Sequence, residues 1–380
     1  MGILRTNTIS GIGSDGPVFN GVTKFDTQGY IVPPSGTTEQ RSAGITTAQG
    51  TIRFNTDSQK LEFYAQDQWW EMVTDTSNLG VSSNTDAGGR FVIASGSQTA
   101  IPAGSGVNAI DYVNLASTGN ALDFGDTISS GTENCGCASA TRGVYFTIST
   151  NIFEYVTISS TGNAQDFGDN TYGGGGTGVM RQCMSISNST RGFLAGGYDP
   201  STGTDVNNIA YFTIASTGNS IDFGDLTEVI GGPGQGVANS TRGIFNGGTT
   251  INYITIPTQG NAATFGSTLY TGRGKMAGSN PVRGIFAGGQ QHADIEYITI
   301  STLGNGTNFG DLGIDIIYGK SGASPTRVAF AGGMNNPGSF NTQNRIEYVT
   351  ISTQGNAIDF GDMVNGRWGG AGFSNAHGGL

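Results

Sequence analysis

The chain has 380 residues, a net charge of −11 and only 12% charged side chains, and its 65 glycines follow no three-residue period, which excludes a collagen-like fibre. A pI near 4.5 sets it against a phosphate backbone, whose binding requires clustered Lys and Arg, so nucleic acid is not an expected partner. No stretch approaches the ~18 apolar residues of a membrane span, and the N-terminus has neither the basic nor the apolar region of a secretory signal, so no membrane insertion is expected.

Glycine supplies positive φ in tight turns, and Thr, Ile and Phe suit pleated surfaces. With helical periodicity nearly absent, the expectation is an all-β protein. Residues 1–47 are rich in Gly, Ser and Thr. Pro33, Pro34, Ser35 and Gly36 read as a turn or linker, and residues 18–25 as strand material that needs neighbours. Residues 50–73, GTIRFNTDSQKLEFYAQDQWWEMV, read as a β-hairpin with alternating faces followed by a third strand that starts at Trp69 and Trp70. This segment resembles one common in tail-fibre and other virion structural proteins of bacteriophages. The resemblance implies a part that joins an appendage to other virion proteins or makes it a homotrimer. A polar linker over residues 75–87 closes an N-terminal segment of residues 1–85, and residues 86–380 form a second domain.

That domain repeats itself. Residues 348–362 read YVTISTQGNAIDFGD, and near-copies begin at Tyr112, Tyr155, Tyr211, Tyr253 and Tyr297, at steps of 42 to 56 residues. A period of this length belongs to propeller blades. Ahead of each tyrosine stands an arginine with an apolar run, usually closed by two glycines, as in RGFLAGG from Arg191 and RGIFAGG from Arg283. Six copies of each phrase make six units of four short strands. Strand, Gly-Gly, strand with Tyr, then aromatic strand resembles the Kelch arrangement, with Phe124, Phe167, Phe223, Phe265, Phe309 and Phe360 where that family usually has tryptophan. The first unit, at Arg90, has no first strand, and residues 370–375, GAGFSN, are a first-type strand with no successor. The expected fold is therefore a six-bladed Kelch-like β-propeller, closed by pairing of the C-terminal strand with the first blade.

Most recurring polar residues have a structural reading. The six arginines follow turns and are expected to bond carbonyls or acids of the neighbouring blade. The DFG triplet of kinases appears without any other kinase element. Asp123 and Asp126 have the oxygen chemistry for Ca²⁺, but Thr264, Ser267 and Asn308 replace the acids in other copies, so no metal and no cofactor is expected. Cys135, Cys137 and Cys183 are too few for a disulfide framework, and a metal site of Cys135, Cys137 and His377 has too few ligands.

In a propeller, the connections from second to third strand and from fourth strand to the next blade open on one face. Here those connections vary, while the turns of the opposite face barely change. A constant face and a diverse one suit a scaffold presenting recognition loops. Tyr172, Tyr198, Tyr318, Asn336, Phe340 and Trp368 lie in or beside the variable connections, and aromatic planes with amides suit sugars. The expected function is non-enzymatic: a virion appendage, most simply a tail fibre, binding a host cell-surface glycan or protein. A capsid or tail decoration protein uses the same parts. A polysaccharide depolymerase requires paired carboxylates, and Asp199, Asp205 and Asp315 form no recognisable constellation.

Overall fold

In the computed structural model the short runs of β-branched and aromatic residues become strands, with Gly, Asn and Ser at the reversals. The structure describes residues 33–42, 49–58, 60–71, 89–99, 106–147, 151–171, 180–232, 234–290, 292–335 and 341–380. The strand material at residues 18–25 lies outside them. Among the described residues no helix is long and apolar enough to cross a membrane. The chain divides into two compact units, Met1–Ser77 and Asn78–Leu380.

In the first unit, Ile52–Asn55, Lys60–Ala65 and Gln68–Glu71 form an antiparallel meander. Part of the expected linker is instead a strand. Ser35–Gly36 pairs parallel with Ile52–Asn55, because Phe54 N donates to Pro34 O and Thr56 N to Gly36 O. The register puts Ile52 opposite Phe63, Phe63 opposite Trp70, and Phe54 opposite Leu61, so these five share a face. Ile52, Leu61 and Trp70 on it are exposed. The other face holds Glu62, fully buried, where Arg41 and Asn55 donate to its carboxylate. Burial pushes the Glu62 carboxyl up, but these donors with Arg53 outweigh it and hold the group below its usual range.

The described part of the second unit contains six four-stranded antiparallel sheets and two small ones. Each large sheet has strands a to d. Strand b runs from the repeated arginine, as in Arg191–Ala195 of sheet 3, strand c carries the tyrosine, as in Asn208–Thr213, and strand d the phenylalanine, as in Ile221–Asp225. Strands a of sheets 2 to 6 are Cys135–Ala138, Met184–Ser187, Val237–Ala238, Met276–Ser279 and Lys320–Ala323. Strand a of sheet 1 comes from the other end of the chain: Ala371–Ser374 pairs with Arg90–Ala94, Ala371 opposite Ala94 and Ser374 opposite Phe91. Strands a lie side by side in chain order, with Lys320–Ala323 against Ala371–Ser374 and Ala371–Ser374 against Cys135–Ala138. This all-β arrangement is compatible with a β-propeller.

Apolar cores lie between the sheets, and they explain the burial gradient along a sheet. Strand b is buried almost throughout, because both its faces meet a neighbouring sheet, whereas strand d buries only its phenylalanine. Sheets 3 and 4 share a core containing Phe193, Ile209, Phe223, Phe245 and Ile254. Sheets 6 and 1 share Phe91, Ile93, Ala329, Ile346 and Phe360. Each large buried side chain contributes about 1.5–3 kcal/mol. A β-bulge aims the phenylalanine inward: in sheet 1 Ile110 pairs with Gly125 and Asp111 with Asp123, so Phe124 is the extra residue. Its ring meets Tyr112 edge-on at 5.8 Å. The same edge-on contact joins Tyr211 to Phe223 and Tyr348 to Phe360.

The six arginines bind carbonyls of the next sheet. Each guanidinium lies 4.4 to 5.0 Å from the tyrosine ring of its own sheet. Its Nη1 then donates across the seam: Arg90 to Ile158 O, Arg142 to Ile214 O, Arg191 to Ile256 O, Arg242 to Ile300 O, Arg283 to Ile351 O and Arg327 to Leu115 O. The Gly-Asn turns stitch the outer edge in the same sense. Asn163 Oδ1 accepts from Asp126 N and Asn120 Oδ1 from Asp362 N. Glycine is required beside these turns. A Cβ on Gly361, at φ +146°, would lie 2.4 Å from Gly119 O. We predict that Gly361→Ala lowers unfolding stability by about 2–4 kcal/mol in chemical denaturation, since strain and collision add.

Candidate functional site: a groove on the loop face

The two ends of the sheets differ chemically. At one end Asn188, Asn239 and Asn280 each accept, through Oδ1, the N–H of the residues two and three places on, and Ser139 and Ser324 do the same with Oγ. One turn chemistry serves all of these sheets, so the phrase repeats. The C-terminal tail seals the centre of this end. His377 Nε2 lies 2.9 Å from Ala138 O and 3.2 Å from Ser187 Oγ, and Gly378 N donates to Ser279 O. Burial lowers the His377 pKa, against the opposing pull of the Ala138 carbonyl. A cavity of about 50 Å³ remains among the strands a, lined by Ser185, Gln235, Ser321 and Ser374 among others. Gln235 spans it, donating to Ser321 O and Gly372 O.

At the other end, where the connections vary, a larger groove of about 480 Å³ opens between sheets 4 and 5. Glu228, Thr249, Thr271, Arg273, Gln290 and His292 supply its polar walls, and Gly231, Gly247, Gly248 and Gly272 expose main chain between them. Its volume falls within the ~300–1,000 Å³ range of ligand sites. Its walls hold an acid, a guanidinium, two hydroxyls, an amide and an imidazole, a mixture of donors and acceptors that suits a hydroxyl-rich ligand.

Arg273 Nη2 donates to Asp205 Oδ2 at 3.2 Å, and His292 Nδ1 lies 2.9 Å from Asp294 Oδ2. Asp205 reaches Arg273 from a two-stranded hairpin, Tyr198–Asp199 with Thr204–Asp205. Gly231 admits it, because a Cβ there would lie 1.9 Å from Asp205 Oδ1. Behind these loops a buried network holds the strand ends. Lys275 Nζ donates to Glu296 Oε1 at 2.7 Å, and Asn246 Nδ2 and Thr268 Oγ1 donate to the same oxygen, while Leu269 N donates to Oε2. Burial pushes the Lys275 ammonium below its ordinary pKa, with the Glu296 carboxylate opposing.

The expected site residues fall in three places. Tyr172, Asn336 and Phe340 lie outside the described residues. Tyr198 is half-buried and pairs with Asp205, so it sits behind the groove wall. Tyr318 and Trp368 come together in a small apolar cluster with Ile317 and Met334, ring centroids 5.7 Å apart. Tyr318 adopts φ 62°, and burial raises its phenol pKa. It packs on Gly274, next to Arg273, where a Cβ would lie 2.7 Å from its ring. Trp368 is only 4% exposed, and its Nε1 donates to Thr99 O, so it supports Tyr318 and offers no open face.

The groove residues themselves were missed because distant loops assemble them. One signal was available: Arg273 is among the arginines outside the repeat frame. Of the acids weighed for catalysis, Asp199 spends Oδ1 on Ser201 N, Ser201 Oγ and Thr202 N, which depress its pKa, and Asp205 faces Arg273. Among the described residues no three His, Cys, Asp or Glu gather as a metal site.

No family model matches the chain, and no curated protein does. Among solved structures it is similar to one titled "Structure of YjhT", with a TM-score of 0.54 and 11% identity, covering 65% of this chain and 88% of that one. At that identity the likeness concerns the fold alone.

Trp368→Ala is expected to lower unfolding stability by about 3–5 kcal/mol, the cost of emptying a buried indole site. Arg273→Ala, at an exposed ion pair, should change it by no more than about 0.5 kcal/mol. Parallel denaturation curves check both.

Proposed function

We propose that the six sheets are the blades of one closed six-bladed Kelch-like propeller, and that the protein is a bacteriophage virion appendage, a tail fibre. In this reading its loop face binds a host cell-surface glycan without catalysis. The observation that carries the binding reading is the polar groove between sheets 4 and 5, on the face whose connections vary while the opposite turns repeat. The arginine bridges support closure, since the bridge from Arg327 to Leu115 O repeats between sheets 6 and 1 what the others do between chain neighbours. The N-terminal sheet supports attachment and a homotrimer. Its face of Ile52, Phe54, Leu61, Phe63 and Trp70 is the kind of apolar surface that small sheets bury against other chains. Linked copies turn modest single-site affinity into avid adsorption.

On an array of bacterial surface polysaccharides, the full-length protein is expected to bind at least one and release no reducing ends from it. Arg273→Ala combined with Gln290→Ala should weaken that binding by about tenfold or more, the equivalent of ~1.4 kcal/mol. Unchanged binding by the double variant would remove the groove from the account. Reducing ends released by the native protein and lost in Glu228→Gln would replace recognition with depolymerisation.

A further inference from the structure

Cys135 and Cys183 belong to neighbouring sheets and converge on one point. Cys135 opens strand a of sheet 2 and Cys183 directly precedes strand a of sheet 3. Both are 1% exposed, and their sulfurs lie 2.7 Å apart. Non-bonded heavy atoms settle at about 3.5 Å or more. An approach of under about 1 Å would bring these two to the ~2.05 Å of a covalent S–S bond.

The third cysteine is directed elsewhere. Cys137 Sγ faces Ile186 O at 3.2 Å and Phe193 O at 3.5 Å. Lys320, also buried, donates to Asn134 O beside Cys135, which brings an ammonium toward the sulfur pair. Two residues before Cys135 and one before Cys183 stands a non-glycine residue with left-handed backbone, Glu133 at φ 58° and Gln182 at φ 58°, and Gln182 Nε2 donates to Glu133 Oε1 at 2.7 Å. Two strained residues joined by a hydrogen bond hold the strand entries, and with them the sulfurs, in register.

We propose that Cys135 and Cys183 are an oxidative cross-linking site, bridged when the protein meets a low-molecular-weight disulfide and reduced in a thiol-rich compartment. While the two strand ends are parted, during folding or local opening, one protein thiol loses its proton, and the thiolate attacks a sulfur of the small disulfide, releasing one small thiolate. The second protein thiolate then attacks the protein sulfur of the mixed disulfide and releases the other. Two protein thiols are oxidised, one small disulfide is reduced to two thiols, and the protons go to those thiols. The bond would clasp the seam between sheets 2 and 3 at the loop end, opposite the bridge from Arg142 to Ile214 O.

The test uses the full chain, both incubated folded with oxidised glutathione and refolded in a glutathione redox buffer, then denatured with a maleimide and analysed by mass spectrometry. One alkylated thiol at Cys137, a peptide pair joined through Cys135 and Cys183, and a thermal midpoint raised by roughly 5–10 °C and reversed by reductant are expected. Cys183→Ser should keep its midpoint under oxidation. If that variant does not fold, the peptide map of the native chain decides alone. Three alkylated thiols in both oxidised samples, a stable glutathione adduct, or a bridge through Cys137 would overturn the proposal.

Discussion

Neighbouring large sheets in this protein meet through one recurring seam: a pair of main-chain hydrogen bonds at the outer edge, such as Gly218 N to Phe167 O and Ser220 N to Asp169 O, and a side-chain bridge further in. The repeated arginine makes that bridge at every seam. It lies on the tyrosine of its own sheet and donates to a carbonyl just past strand c of the next. The tyrosine in turn meets the bulged phenylalanine edge-on. A planar guanidinium can stack and donate at once, which a lysine ammonium cannot, so the residue type follows from the geometry. Serines on the inner strands add a second set of seams: Ser185 Oγ donates to Gly136 O, Ser279 Oγ to Ala238 O and Ser374 Oγ to Ala323 O.

With the seams held at the turn end, the loop end is free to differ from sheet to sheet. There, a chain of main-chain bonds links the sheets: Asn134 N donates to Gly369 O, Gly369 N to Tyr318 O and Tyr318 N to Gly274 O. Glycine supplies the left-handed geometry at Gly274 and Gly369, while Glu133, Gln182 and Tyr318 adopt it with side chains. Non-glycine residues in that region cost about 1–3 kcal/mol each and gather at functional sites. The strained residues, the polar groove and the sulfur pair therefore all belong to the diverse end.

The sequence made the recurring parts legible because every sheet solves one packing problem with one phrase. Tyr, Phe and Arg recur at set spacing, and the unpaired strand at residues 370–375 was visible as a remainder, which the structure places as Ala371–Ser374 beside Arg90–Ala94. What was hidden depends on contacts that no period records. The bulge that aims Phe124 inward, the tail that brings His377 onto Ala138 O, and the strand at Ser35–Gly36 all follow from partners far along the chain. The groove was hidden for the same reason, since Glu228, Thr249, Arg273 and His292 come from four separate connections and meet only in the folded chain. Aromatic content misled at Trp368, where a large ring in a variable connection turned out to be support for its neighbour.

In a closed ring, the seam between the last and first sheets is the same kind of seam as the others. Equilibrium denaturation of Arg191→Ala and Arg327→Ala, measured side by side, tests it. Arg191 bridges chain-adjacent sheets and Arg327 bridges sheets 6 and 1. A charge-assisted hydrogen bond of this kind is worth about 1.5–3 kcal/mol, so the account predicts losses of that size in both variants, equal within about 0.5 kcal/mol. A clear loss for Arg191→Ala with none for Arg327→Ala would mean that the sheets form an open array, and would contradict the account.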